Sequence, residues 1–194
     1  RDIKFSTTCA MVAMCINRRL GVPRELKIKG ESRFLGKSYR GLFGDTQNLD
    51  YEGKRVVVLG MGAFALENLR TGFERGASHV VILARRRGVV SPQVIDYINF
   101  VRPWDKEFAH AREGSAMVLD MWRTVYVKSG ADLPECWTNE PRSLKPDGHT
   151  VSVSDMFFVG HRLGLAYTQL GSAVECEPKG IRTDGADPRR TDTH

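Results

Sequence analysis

Cysteine is scarce in this 194-residue chain and badly spaced for chemistry: Cys9, Cys15, Cys136 and Cys176 form no C-x-x-C pair. That excludes a zinc ribbon, a redox dithiol and a disulfide-stapled secreted scaffold, and points to reduced thiols in a cytoplasmic compartment. Cys9 and Cys15 cannot bridge within one strand, where six residues at about 3.3 Å each hold them apart. The five histidines contain no H-E-x-x-H, so no metal site is expected. No apolar run approaches the roughly 18 residues needed to span a bilayer, and Arg1-Asp2-Ile3-Lys4 opens no signal-peptide core. No repeat or low-complexity tract is present.

What remains is an ordinary globular composition, 41% hydrophobic and 27% charged, able to form a core. At roughly 150 residues per domain, the length admits one domain with at most a partial neighbour. Lys and Arg exceed Asp and Glu, 29 to 23, an excess of six that suits nucleic acid, an anionic membrane or a phosphorylated small molecule. The basic stretch 17–40 carries eight Lys/Arg against two Glu, with Phe34 and Tyr39 interleaved. It matches no RRM, OB or helix-turn-helix pattern, so it reads as a solvated connector, and no nucleic acid or membrane partner is expected. Gly36-Lys37-Ser38 looks like the end of a P-loop, but the earlier glycine is missing, since position 31 is Glu31.

The informative segment is Arg55-Val56-Val57-Val58-Leu59-Gly60-Met61-Gly62-Ala63-Phe64-Ala65. Four consecutive aliphatics, three of them β-branched, predict a buried parallel strand. Ala65, Leu66, Leu69 and Phe73 then recur at helical spacing, predicting a helix over about 63–75 that stops at Gly76. His79 to Ala84 predicts the next strand, so strand, turn, helix and strand fit one βαβ unit. Further along, Val94, Ile95, Ile98 and Val101 mark one helix. Val118, Met121, Trp122 and Val125 mark a second, closing at Gly130. Ser154 caps a third that runs to Gly164. The segment 130–150 reads as loop, and Ala173–Glu177 with Gly180–Thr183 as a hairpin. The expected fold is α/β: a Rossmann-like βαβ parallel-sheet core with a helical insertion over about 90–165 and a C-terminal β-hairpin.

Gly60-x-Gly62-x-x-Ala65, placed between a strand and a helix, matches the dinucleotide fingerprint G-x-G-x-x-G/A. The first glycine permits the turn, the second lets a diphosphate approach the backbone, and Ala65 allows close helix–strand packing. The anion would meet N–H groups of Gly62, Ala63 and Phe64 at the positive end of the helix, with Glu67 fixing the helix start. An NAD site has an acidic residue ending the second strand; here stand Arg85-Arg86-Arg87. Guanidiniums suit the 2′-phosphate of NADP(H), so Arg85 and Arg86 are the candidate contacts; the competing reading is a solvated basic loop. His161 could face a cofactor, though a histidine on an apolar helix is more often packed. Cys136 beside Trp137 shows no basic surroundings that would activate it.

With these residues in view, the chain resembles the flavin-dependent monooxygenase-like enzymes that carry one FAD-binding and one NADPH-binding domain. Gly21 to Glu31, then Phe34-Leu35-Gly36-Lys37-Ser38-Tyr39, looks like the crossover out of the FAD domain. The turn at Gly60, Gly62, Ala65 and Glu67 follows in that family's order. The resemblance, over about residues 8–187, implies a remnant strand of an FAD domain within 1–16, a connecting segment at 17–50, an NADP(H)-binding domain at 51–187 and a disordered tail at 188–194. It implies that NADPH reduces FAD, that O2 is activated and that an organic substrate is oxygenated. Without a FAD fingerprint in it, the chain is expected to be inactive alone and to need a missing FAD-binding half. No catalytic residue is assigned. The rival is a stand-alone NADPH-binding or regulatory module that binds without turnover.

Overall fold

A computed structural model describes residues 26–41, 44–101, 112–139, 142–144 and 151–185. The expected remnant strand within 1–16 and the tail at 188–194 lie outside the described residues, as does the start of the connecting segment. Strand β1 (Arg55–Leu59), helix α1 (Ala63–Glu74) and strand β2 (His79–Ala84) form the βαβ unit. The two strands are parallel in unbroken register, from Arg55 opposite His79 to Leu59 opposite Leu83.

The expected helices are present. They are α2 (Gln93–Val101), α3 (Arg112–Ser129) and α4 (Asp155–Arg162). Ser154 caps α4 by accepting the Phe157 N–H at 3.3 Å. The predicted stops Gly76, Gly130 and Gly164 take φ of 81°, 76° and 71°.

Between them, where the sequence predicts loop or helix, lie short strands: β3 (Val90–Ser91), β4 (Trp137–Asn139), β5 (Arg142–Leu144) and β6 (Ser152–Val153). β3 runs parallel to β6, and β4 pairs antiparallel with β5. The segment 130–150 is therefore not simply loop, and the insertion is not purely helical. A further strand, β7 (Ala166–Leu170), joins β2 in parallel, giving the order β1-β2-β7. The hairpin is β8 (Ala173–Glu177) with β9 (Gly180–Thr183).

One face of the sheet presents Val58, Val80, Ile82, Ala84 and Ala166 to α1 and α4, whose Leu66, Leu69, Phe157 and Phe158 are buried against it. Full burial of a Leu or Phe side chain contributes roughly 1.5–3 kcal/mol, so these four are the main adhesive of the two layers. α4 approaches α1 where it has no side chain. A Cβ at Gly160 would lie 2.7 Å from the Phe73 ring and 3.0 Å from the Ala166 Cβ.

Within the insertion, β3 is tied to α3 through the backbone of one residue, Val90. The Tyr126 hydroxyl accepts the Val90 N–H at 2.8 Å and donates to the Val90 carbonyl at 3.0 Å, and the same carbonyl accepts Trp122 Nε1–H at 2.8 Å. Around it, Tyr126 meets Trp137, Phe157 and Phe158 edge-on, at centroid distances of 6.4, 6.3 and 5.1 Å.

The described part of the connecting segment does more than link. Cys176 N–H donates to the Lys29 carbonyl at 2.7 Å, Leu35 N–H donates to Pro178 C=O at 2.9 Å, and Glu175 pairs with both Arg33 and Arg182. The segment is thus laid along the C-terminal hairpin.

Candidate functional site

Leu59 ends β1, and the Gly60 N–H donates to the Leu83 carbonyl at 2.9 Å, so the turn leaves the sheet level with the end of β2. Gly60 has φ +107°, a conformation that residues with a Cβ rarely adopt. Gly62 is the N-cap of α1 and offers no side chain to cap it. The first intrahelical bond runs from Leu66 N–H to Gly62 C=O, at 3.1 Å. The amides of Ala63, Phe64 and Ala65 therefore precede the helix ladder, at the positive end of its dipole. Among the described residues, a Cβ built on Gly60 or Gly62 would meet nothing within 4 Å, so no described side chain or backbone crowds the turn at these two glycines. Ala65 is buried against the sheet, whereas Ala63 and Phe64 are exposed.

The arginine turn lies beside this mouth. It follows Ala84 directly, and a Cβ at Gly88 would sit 3.5 Å from the Met61 carbonyl. Arg85 and Arg86 are exposed. Arg87 is engaged elsewhere: its guanidinium lies 3.5 Å from the Asp132 carboxylate, and its backbone N–H donates to the Glu135 carboxylate at 3.4 Å. Glu67 faces solvent and pairs with Arg70 at 3.4 Å within the helix, which partly neutralises its charge near the mouth.

His161 is a core residue. Its Nδ1 lies 2.7 Å from the Phe157 carbonyl and Nε2 3.3 Å from Thr168 Oγ1, and its ring is 4.3 Å from that of Phe157. It is buried beneath the sheet's helical layer, where Thr168 of β7 and the turn of α4 account for both nitrogens. Cys136 is buried in the aromatic cluster, and burial raises the pKa of the Cys176 thiol. Neither environment makes a nucleophile. Among the described residues no group of His, Cys, Asp and Glu could hold a metal ion, and no helix is long and apolar enough to cross a membrane.

One polar residue at the site was not expected from the sequence. Asn68, one turn into α1, donates through Nδ2 to the carbonyls of Gly41 (2.8 Å) and Phe64 (2.7 Å), and its Oδ1 accepts the Thr46 hydroxyl at 3.0 Å. Its sequence signal was slight: an amide, a poor helix former, beside the core position Leu69.

The sequence matches no protein-family model and no curated protein. The fold matches solved structures, among them those of two proteins, OTEMO and a steroid monooxygenase. One is OTEMO in complex with FAD and NADP, with a TM-score of 0.55 and 14% identity over 84% of this chain. Another is an oxidized steroid monooxygenase bound to NADP, with a TM-score of 0.56 and 15% identity, also over 84% of this chain. OTEMO in its FAD-bound form gives 0.52 and 16%, over 86%. The chain spans 42 to 43% of the length of these proteins. At such identity the likeness establishes the fold: an α/β chain with a parallel sheet, flanking helices and a C-terminal antiparallel hairpin.

Proposed function

We propose that this chain is the NADP(H)-binding portion of a flavin-dependent, monooxygenase-like oxidoreductase. The observation that carries the reading is the mouth of α1 at Gly60 and Gly62, uncrowded by any described residue, with exposed Arg85 and Arg86 on the neighbouring turn. These residues fit a dinucleotide phosphate. Ala63, Phe64 and Ala65 would present amides to the diphosphate, and Arg85 and Arg86 would flank the 2′-phosphate with charge-assisted hydrogen bonds. Bound there, NADPH would supply the hydride that reduces a flavin. This chain's part is to hold and orient the nucleotide. The flavin, the activation of O2 and the organic substrate belong to the reading by likeness to the FAD- and NADP-bound structures, and no residue here is assigned to them.

Calorimetric titration with NADPH and NADH side by side tests the reading. NADPH is expected to bind at least about tenfold more tightly, a difference of about 1.4 kcal/mol. The double variant Arg85→Ala with Arg86→Ala should remove the preference while leaving NADH affinity little changed. Because both arginines are exposed, the preference should shrink as salt is added. Equal affinity for the two nucleotides in the unmutated protein would refute the arginine assignment. A yellow purified protein would show that the chain also retains flavin and would count against the stand-alone module.

A further inference from the structure

We infer that Asn68 is a positioning residue that holds the wall of the nucleotide groove on its nicotinamide side, an inference that rests on the nucleotide reading above. Its side-chain amide spends both N–H groups and one lone pair on three partners. Two of them, Gly41 and Thr46, lie 27 and 22 residues earlier in the chain. An exposed helix asparagine needs none of these bonds, and in a helix interior it is a poor choice. The bonds clip Gly41 and Thr46 to the first turn of α1. Through the Phe64 carbonyl, they reach a residue whose amide stands at the helix mouth.

The flank on which this clip lies follows from helix geometry. Phe73 meets Gly160 of α4, and five residues separate it from Asn68, about 140° around the helix. Asn68 therefore lies well round the helix from α4, on the side nearer β1. With the sheet ordered β1-β2-β7, α4 packs over β7 and the arginine turn ends β2. A dinucleotide lies across the carboxyl ends of the strands. With its adenosine phosphate at the end of β2 and its diphosphate over α1, its other half runs past the end of β1. It then meets the flank where Gly41 is held and where the Phe64 ring is 49% exposed. The stretch ending at Tyr39-Arg40-Gly41, whose Tyr39 and Arg40 are exposed, is thereby kept level with the helix mouth.

Two ligands separate the halves: NADPH, and adenosine 2′,5′-bisphosphate, which carries the adenosine and its 2′-phosphate but no nicotinamide. Both are titrated calorimetrically into the unmutated chain, Asn68→Leu, Thr46→Val and Thr46→Ser. Asn68→Leu should weaken NADPH about tenfold while leaving the bisphosphate within about twofold. Thr46→Val, which deletes only the Thr46 bond, should weaken NADPH less and in the same sense, and Thr46→Ser should restore it. The threonine pair decides the matter should Asn68→Leu not fold. Proportional weakening of both ligands, or of neither, overturns the assignment of Asn68. An unmutated chain that binds neither ligand overturns the nucleotide reading itself, whereas one that binds the bisphosphate leaves that reading standing whatever Asn68 does.

Discussion

Tyr126 shows how much one hydroxyl can hold at the residue scale. It sits in the core and satisfies both polar groups of Val90, while Trp122 shares the carbonyl. Tyr126→Phe leaves the Val90 N–H buried without that acceptor, and should cost about 1–3 kcal/mol in urea denaturation. Burial, the dominant influence, raises the phenol's pKa well above its ordinary value. The sign of the linkage follows. Above about pH 10 the unfolded chain releases this proton and the folded chain keeps it, so stability present at neutral pH is lost as pH rises. Denaturation from pH 8 to 11 should show a steeper alkaline decline in the unmutated protein than in Tyr126→Phe. Glu175 carries the opposite sign: the Arg182 hydrogen bond lowers its pKa, with Arg33 and Lys29 adding to the effect. Its contribution is present above the ordinary carboxylate range and is lost as acid protonates it. Glu175→Gln should therefore flatten the acid limb, read as amide exchange in the hairpin.

At the scale of elements, α1 offers a test in which stability and binding move in opposite directions. Gly62 has φ −90° and ψ −177°, extended backbone open to any residue, with nothing near the place a Cβ would occupy. Gly62→Asp should stabilise the helix by a few tenths of a kcal/mol as an N-cap, while its carboxylate takes the place of a bound phosphate. A melting temperature equal to or above that of the unmutated chain, together with loss of NADPH binding, is the expected pair of results.

This first βαβ unit was legible because its aliphatic run, glycine turn and helical spacing all point the same way. β7 was not. Ala166-Tyr167-Thr168-Gln169-Leu170 carries polar side chains whose strand role depends on distant partners: Thr168 meets His161, and Gln169 Nε2–H donates to Thr183 Oγ1 at 2.8 Å. The pairings of β3 with β6 and β4 with β5 were equally hidden, since strands of two or three residues have no period to read. Asn68 carries little readable signal for a related reason. A lone amide on a helix looks like a solvated face until a segment more than twenty residues away is laid across it.

For the molecule as a whole, the three-stranded sheet has β1 and β7 at its two edges among the described residues. Among the described residues β1 forms a ladder with β2 alone, and Val57 and Leu59 are 40% and 39% exposed on it. A parallel sheet is ordinarily covered on both faces, and an aliphatic edge strand invites pairing. Val57→Lys should therefore reduce self-association of the isolated chain, read by light scattering over a concentration series, with little loss of melting temperature. The tighter constraint lies on the covered face, at Gly160. There the Phe73 ring occupies the volume that a methyl group would need, so the two helices interlock like a tenon in its mortise. Sliding either one along the other would drive the ring into backbone. Gly160 thus stands between the Phe73 ring of α1 and Ala166 of β7, so any side chain placed there would press on the helix and the third strand at once.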